Sequence, residues 1–455
     1  MKVFLVACNS CQDPYVVYPL GMSVVAAALT AVGHEVDQFD LLAEGWDFGV
    51  LRQRILKFAP LCVGLSLRNV DNVDSLTASK HWFLDEAREA VKNIRQCTSA
   101  PIVVGGAGFS LIPERILDYT GADYGIVGGG ENAFAVLLAI LEEGGSPQRL
   151  TVNGTQRASA TEMPSALMKP EYVRFYLEGS GLVGVQTKRG CPNACCYCSY
   201  PLLEGHAVRC RDPRDVAEDL LRLQQDHGVR TVFFTDAVFN DAGGLYLGLV
   251  EELVRRDIGM SWTAYFQPRC LDRHTVRLLR RSGLIGLEVG TDAASDATLS
   301  GLGKGIDFAA AADFNAMCVG EGLPCAHFII FGGPGETSDT LEEGLRNLSL
   351  LDPAVVFAFS GIRVHPRTRL HALAVEQGVI GPDADLLRPV FYFSPEVYPE
   401  AMNARLEQAF ARRRDRIFPP ERAQERMAVL HRLGYRGVLW DTLVRLPGAQ
   451  GGHPQ

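Results

Sequence analysis

The sequence predicts an α/β protein of two units in series, the first a doubly wound parallel sheet. Three observations lead there. Short apolar runs alternate with helical stretches up to about residue 145, and again from about residue 179 to residue 390. Several runs of the first series end in glycine or polar clusters. Between the two series lies a polar, turn-rich stretch with Gly144, Gly145, Pro147, Pro164 and Pro170. Strands spaced by helices imply parallel pairing, with ligands beyond the carboxyl ends of the strands. The expected organisation is a first unit over 1–145, a connection over 146–178, a second unit over 179–390 and a helical tail over 391–455.

In order along the chain, Val3 to Ala7 is an apolar strand, Gly21 to Thr30 a small-residue helix ending near Gly33, and Glu35 to Phe39 an alternating second strand. Leu61 to Leu67 and Pro101 to Val104 are further strands, separated by a helical stretch from Ser79 to Ile94. Tyr124 to Val127 precedes a helix from Ala133 to Leu141. Three successive strand ends carry Ser66-Leu67-Arg68-Asn69, Gly105-Gly106-Ala107-Gly108 and Gly128-Gly129-Gly130-Glu131, where bare backbone can approach a large ligand. In the second unit Leu182 to Val185, Thr231 to Thr235, Ser261 to Phe266, Ile285 to Val289, His327 to Phe331 and Val355 to Ile362 are strand candidates, six in all. In the tail, Met402, Leu406, Phe410 and Ile417 recur at near-helical spacing, a face that could cover the mouth of the second unit.

Composition narrows the function. A chain of 455 residues with 47% hydrophobic content is globular and long enough for two to three domains. A net charge of -9 argues against a large nucleic-acid footprint, so no nucleic-acid partner is expected. No run approaches the roughly 20 apolar residues of a membrane span, and the start Met1-Lys2-Val3-Phe4-Leu5 shows no signal-peptide pattern, so a cytoplasmic location is expected. Between Ala401 and Arg436 arginines outnumber acids, among them Arg405, Arg412, Arg413, Arg414 and Arg416. They read either as solvated helix faces or as a basic rim that docks an acidic carrier protein or anionic lipid.

The chemistry is concentrated in Arg189-Gly190-Cys191-Pro192-Asn193-Ala194-Cys195-Cys196-Tyr197-Cys198, directly after the strand Leu182 to Val185. Cys191, Cys195 and Cys198 stand in a C-x-x-x-C-x-x-C spacing that lets one loop wrap an iron-sulfur cluster. A cubane takes one protein ligand per iron, so three cysteines leave an iron open to another ligand. A zinc site completed by His206 would use the same ligand types but lacks the second knuckle, and a disulfide framework needs an oxidising compartment. Cys196 is expected to point away from the cluster into packing.

This motif resembles the radical S-adenosylmethionine (SAM) superfamily, and Tyr197 before the last cysteine fits its pattern. The resemblance implies that the open iron chelates SAM, that the six strands form a partial (β/α)6 barrel, and that an external one-electron reductant is needed. Further residues match the family's strand ends. Asp236, after the strand Thr231 to Thr235, would receive the SAM amino group; Arg269, in Gln267-Pro268-Arg269, would pair with a SAM or substrate carboxylate; Glu288, in Gly286-Leu287-Glu288-Val289-Gly290, would hold the SAM ribose. Gly332-Gly333-Pro334-Gly335-Glu336-Thr337 is similar to the family's G-x-P-G-E-T, its glycines allowing close approach to SAM and Glu336 or Thr337 capping the next helix. Arg367 replaces a usual glycine and is expected to shape substrate choice.

The first unit is similar to the cobalamin-binding domain that precedes many radical SAM enzymes, which makes Ser66, Arg68, Asn69, Gly105, Gly106, Gly128, Gly130 and Glu131 expected cobalamin contacts. No D-x-H-x-x-G motif offers cobalt a histidine, and Gly129 stands where a glutamate is usual. Leu65 to Asp74 and Phe391-Tyr392-Phe393-Ser394-Pro395 further resemble the lipid-biosynthesis branch. The expected function is therefore methylation, with a [4Fe-4S] cluster, SAM and cobalamin, of an unactivated carbon or phosphorus in a small-molecule, lipid or carrier-bound substrate. The alternatives are a radical rearrangement, cyclisation or carbon-carbon bond formation without methyl transfer, and a cobalamin or redox sensor without turnover. A tRNA-modifying methylthiotransferase is disfavoured, because the tail lacks a basic β-domain.

Overall fold

The computed structural model describes residues 1–12, 15–77, 82–152, 163–444 and 446. The first unit is a parallel sheet of β1 (Lys2–Ala7), β2 (Glu35–Asp40), β3 (Cys62–Ser66), β4 (Ile102–Gly105), β5 (Tyr124–Val127) and β6 (Leu150–Val152) in the order β2-β1-β3-β4-β5-β6. Both faces are covered, as the sequence of β1 requires: Phe4 and Val6 enter one apolar cluster, while Val3, Leu5 and Ala7 enter another on the opposite face. The helices Leu20–Ala31 and Glu131–Glu142 pack on the second face. The strand order reverses between β1 and β3, and a crevice opens there at the carboxyl ends.

The second unit begins with β7 (Val183–Val185), followed by the short ribbon of β8 (Lys188–Arg189) and β9 (Arg209–Cys210) that flanks the cysteine loop. Then come β10 (Thr231–Phe234), β11 (Ser261–Phe266), β12 (Leu284–Asp292), β13 (Cys325–Phe331) and β14 (Val355–Ser360), the ribbon of β15 (Ile362–Arg363) and β16 (Phe391–Tyr392), and β17 (Arg416–Ile417). The sheet runs β17-β14-β13-β12-β11-β10-β7 with every neighbouring pair parallel, a linear order in keeping with a partial barrel. Side chains alternate along each strand. Val232, Phe234 and Trp262 pack outward against helices, while Phe233, Tyr265, Glu288, Phe328 and Phe357 face the interior cavity.

Three expectations need correction. The stretch read as poor in periodicity carries β6 and the helix Pro170–Ser180, which Pro170 opens at the first helical position. Tyr172 and Tyr176 of that helix dock on β2, where Tyr176 Oη donates to Asp40 Oδ2 at 2.7 Å. The tail is not wholly helical: Ile417 lies in β17, a seventh strand paired with β14 and too short to leave a periodic signal. Finally, the helix Pro399–Phe410 buries Met402, Leu406 and Phe410 beside the helix Ser338–Asn347, with Met402 against Gly332, and none of its residues lines the cavity. The helical stretch expected from Ser79 is described from Leu84 to Arg95, Ser79 itself lying outside the described residues.

Candidate active site

The cysteine loop is pinned at both ends. Gly190 at φ +93 brings the loop so close to the following strand that a Cβ would stand 2.1 Å from Ala207 O, and its N–H donates to Glu204 Oε2 at 3.0 Å. Asn193 is held by Arg269 Nη2 and Gln267 Oε1, at 2.5 and 3.1 Å. Cys196 packs into the apolar core, its backbone bonded to Leu302 O and to the N–H of Leu370. Cys191 is buried, and Cys195 and Cys198 are half-buried. Burial pushes Cys198 up to about 12 and raises Cys195, which Lys304 and Arg269 pull back. A metal centre would displace these thiol protons.

Beside the loop, Tyr197 Oη donates to Asp292 Oδ2 at 2.5 Å and the same carboxylate pairs with Lys304. Asp292 stands at φ +68, a left-handed position at the end of β12. Among the described residues no three His, Cys, Asp or Glu side chains form a group suited to a single metal ion. A cubane instead takes its thiolates at separate irons, and three thiols on one loop with two cations near fit that donor set.

The structure places the expected SAM contacts in two groups. Glu288 faces the cavity, 3% exposed, with Trp440 Nε1 donating to Oε1 at 3.4 Å; burial pushes its carboxyl up to about 7. Asp236 sits apart from it: its carboxylate accepts from Thr187 N at 2.8 Å, Thr187 Oγ1 at 2.5 Å and Lys188 N at 3.1 Å, so it braces the approach to the cysteine loop, and it is not among the residues lining the cavity. Arg269 donates through Nη2 to Asn193 and through Nε to Gln267, tying the loop to β11. The Gly332–Thr337 turn closes on itself: Glu336 accepts from Gly332 N and Thr340 Oγ1, while Thr337 forms a capping box with Thr340. Gly332, at φ +87, abuts Phe393, which a Cβ would meet at 2.9 Å, so the Phe391-to-Pro395 phrase supports this turn. Gly333, Pro334 and Gly335 lie within it, and none of the turn lines the main cavity. Arg367 is a correction. It stands at φ +66 and donates to Ser110 O at 3.1 Å, a bond between the two units rather than a substrate contact.

One cavity of about 1010 Å³ joins the two units. Ser66, Arg68, Asn69, Gly105, Gly106, Gly128, Gly130 and Glu131 all line it. Gly106, at φ +107, leaves no room for a side chain, since a Cβ would stand 2.4 Å from Leu67 O. Behind these loops a slot runs between the β1-β3-β4-β5 face of the sheet and the helices Leu20–Ala31 and Glu131–Glu142, lined by Leu5, Gly64, Val103, Ile126 and Phe134. A polar, glycine-lined rim over an apolar slot fits the corrin ring of cobalamin and its nucleotide tail. On the other side the cavity reaches Phe233, Tyr265, Glu288, Phe328, Phe357 and Phe359 inside the barrel.

Several cavity residues were not found from the sequence. Asn9, just past β1, is 8% exposed with neither amide atom partnered. A polar residue at the carboxyl end of the first strand was the available signal. Met427, Leu430, Leu439 and Trp440, from the helix Glu421–Arg432 and the turn after it, close the cavity instead of the helix Pro399–Phe410. Nothing in their spacing points to the site.

The site's geometry agrees with comparison to known proteins. A B12 binding domain matches residues 12–138 and the radical SAM superfamily matches residues 185–348. The chain pairs a B12 binding domain with a radical SAM domain, the architecture of cobalamin-dependent radical SAM enzymes. It is 27% identical to a tryptophan 2-C-methyltransferase of Streptomyces laurentii, over 82% of this chain and 74% of that protein. Identity is 22% with a cytidylyl-2-hydroxyethylphosphonate methyltransferase of Streptomyces wedmorensis, over 90% of this chain and 89% of the relative. The structure of the radical SAM methyltransferase TsrM from Kitasatospora setae, with cobalamin and a [4Fe-4S] cluster bound, superposes with a TM-score of 0.84 at 25% identity, covering 97% of each chain.

Proposed function

We propose that this enzyme methylates an unactivated carbon or phosphorus of a small molecule held inside the barrel. The observation that carries the reading is the single cavity shared by the glycine loops of the first unit and the interior of the second. When bound, the cluster supplies an electron to SAM and cobalamin carries the methyl group. The chain's own task is to hold the partners in line and exclude water. Ser66, Arg68, Asn69 and the glycine loops seat cobalamin. Glu288, with Trp440 as its hydrogen-bond partner, keeps acceptor capacity for the vicinal hydroxyls of the SAM ribose. The walls of Phe233, Tyr265, Phe328, Phe357 and Phe359 suit a flat or apolar substrate, and the named relatives act on tryptophan and on a phosphonate.

Docking of an acidic carrier or anionic lipid is less well supported. Arg413 is paired with Asp352 and Asp415, Arg405 with Glu342, and Arg416 is buried against Asp352, so these cations serve the fold. Among the described residues no helix is long and apolar enough to cross a membrane. None of the twelve cysteines is in a disulfide, which suits the reducing cytoplasm, where an external one-electron donor would be available.

The test is to incubate the reconstituted enzyme and a reductant with methyl-labelled SAM, using tryptophan as the first probe. Methyl transfer gives S-adenosylhomocysteine and a labelled product. Turnover to 5'-deoxyadenosine without S-adenosylhomocysteine would mean rearrangement, and bound cofactors with neither product would mean a sensor.

A further inference from the structure

Glu131 lines the shared cavity and pairs with Arg189, which leads into the cysteine loop. It opens the helix Glu131–Glu142 directly after Gly128-Gly129-Gly130, and it is 3% exposed. Its Oε1 accepts from Arg189 Nη2 at 2.5 Å, with 14% and 4% of the two side chains exposed. Arg189 is two residues before Cys191, and its Nε donates to Gln186 Oε1 at 2.8 Å, so the guanidinium is fixed on both sides. The other carboxylate oxygen of Glu131, Oε2, is buried and accepts no hydrogen bond from the protein, while the residue lines the shared cavity.

An unsatisfied buried carboxylate oxygen is costly unless a ligand completes it. Cobalamin carries a rim of amide groups whose N–H donors match such an acceptor. We propose that Glu131 is a positioning residue that couples the two cofactors: Oε2 accepts a hydrogen bond from the cobalamin rim while Oε1 holds the arginine that leads into the cluster loop. A filled cluster fixes the loop, the loop fixes Arg189, and Arg189 fixes Glu131 for cobalamin. By thermodynamic reciprocity, cobalamin then favours the cluster-bearing arrangement by the same factor.

The experiment measures hydroxocobalamin affinity by equilibrium dialysis of the full-length protein, once with its cluster and once after the cluster has been removed by chelation. The wild type should bind cobalamin several-fold more tightly with the cluster present. Glu131→Gln should bind about tenfold more weakly, as expected for one lost charge-assisted hydrogen bond, and should lose the dependence on the cluster. Arg189→Gln cuts the same link from the other side and should lose that dependence too, which keeps the proposal testable if one variant folds poorly. An equal affinity of the wild type with and without cluster, or wild-type affinity and cluster dependence in Glu131→Gln, would overturn it. No substrate turnover is read, so this outcome is independent of whether methyl transfer is the reaction.

Discussion

At the scale of the residue, the site depends on which acids are already satisfied. Asp236 and Glu288 look equivalent in sequence, each at a strand end. One accepts three hydrogen bonds within the protein and the other has Trp440. Asp236→Asn should therefore cost about 1–3 kcal/mol of stability, read by denaturant midpoint, and lower the iron content. SAM affinity of the cluster-bearing fraction should stay unchanged, and a selective loss of that affinity would restore Asp236 as a SAM contact. Glu288 gives a pH signature. Its folded pKa of about 7 lies above its ordinary value of 4.5, so its contribution to stability is complete below about 4.5 and is lost as pH rises to about 7. Without ligands, Glu288→Gln should raise stability at pH 8 by an amount on the order of 3 kcal/mol, shrinking towards pH 4.5. A pH-independent difference would contradict this. Replacing Cys191, Cys195 and Cys198 together with alanine should remove iron and SAM cleavage while cobalamin still binds, several-fold more weakly, whereas Cys196→Ala should keep its iron, since Cys196 lies in the apolar core with Leu302 and Leu370.

At the scale of the element, the sequence is most legible where strand ends carry glycines and cysteines. All eight expected cobalamin contacts line the cavity, because the carboxyl ends of this sheet converge on it. The roles of Asp236, Arg269 and Arg367 were not legible, since whether a charged group meets a ligand or the protein depends on partners distant in sequence. Arg269 reaches Asn193 and Arg367 reaches Ser110. Strand β17 and the wall around Trp440 left no periodic trace. The Gly332 turn shows what a motif match can mean structurally: its glycine is required by φ +87 and by Phe393. Gly332→Ala should destabilise the protein by about 1–3 kcal/mol in thermal or denaturant unfolding. Adding Phe393→Ala should recover none of the backbone part, and full recovery would show that contact with the ring was the whole cost.

At the scale of the whole molecule, two α/β units place their carboxyl ends face to face across one cavity. The bonds Glu131–Arg189 and Arg367–Ser110 tie them together, and the segment Pro420 to Leu443 closes the side. That arrangement lets a group carried by the first unit reach a molecule held in the second. The most direct measurement is S-adenosylhomocysteine formation from SAM under reducing, anaerobic conditions, comparing enzyme loaded with both cluster and cobalamin against enzyme loaded with the cluster alone. The account predicts S-adenosylhomocysteine only when cobalamin is present. Equal formation without cobalamin, or none with both cofactors bound, would contradict it.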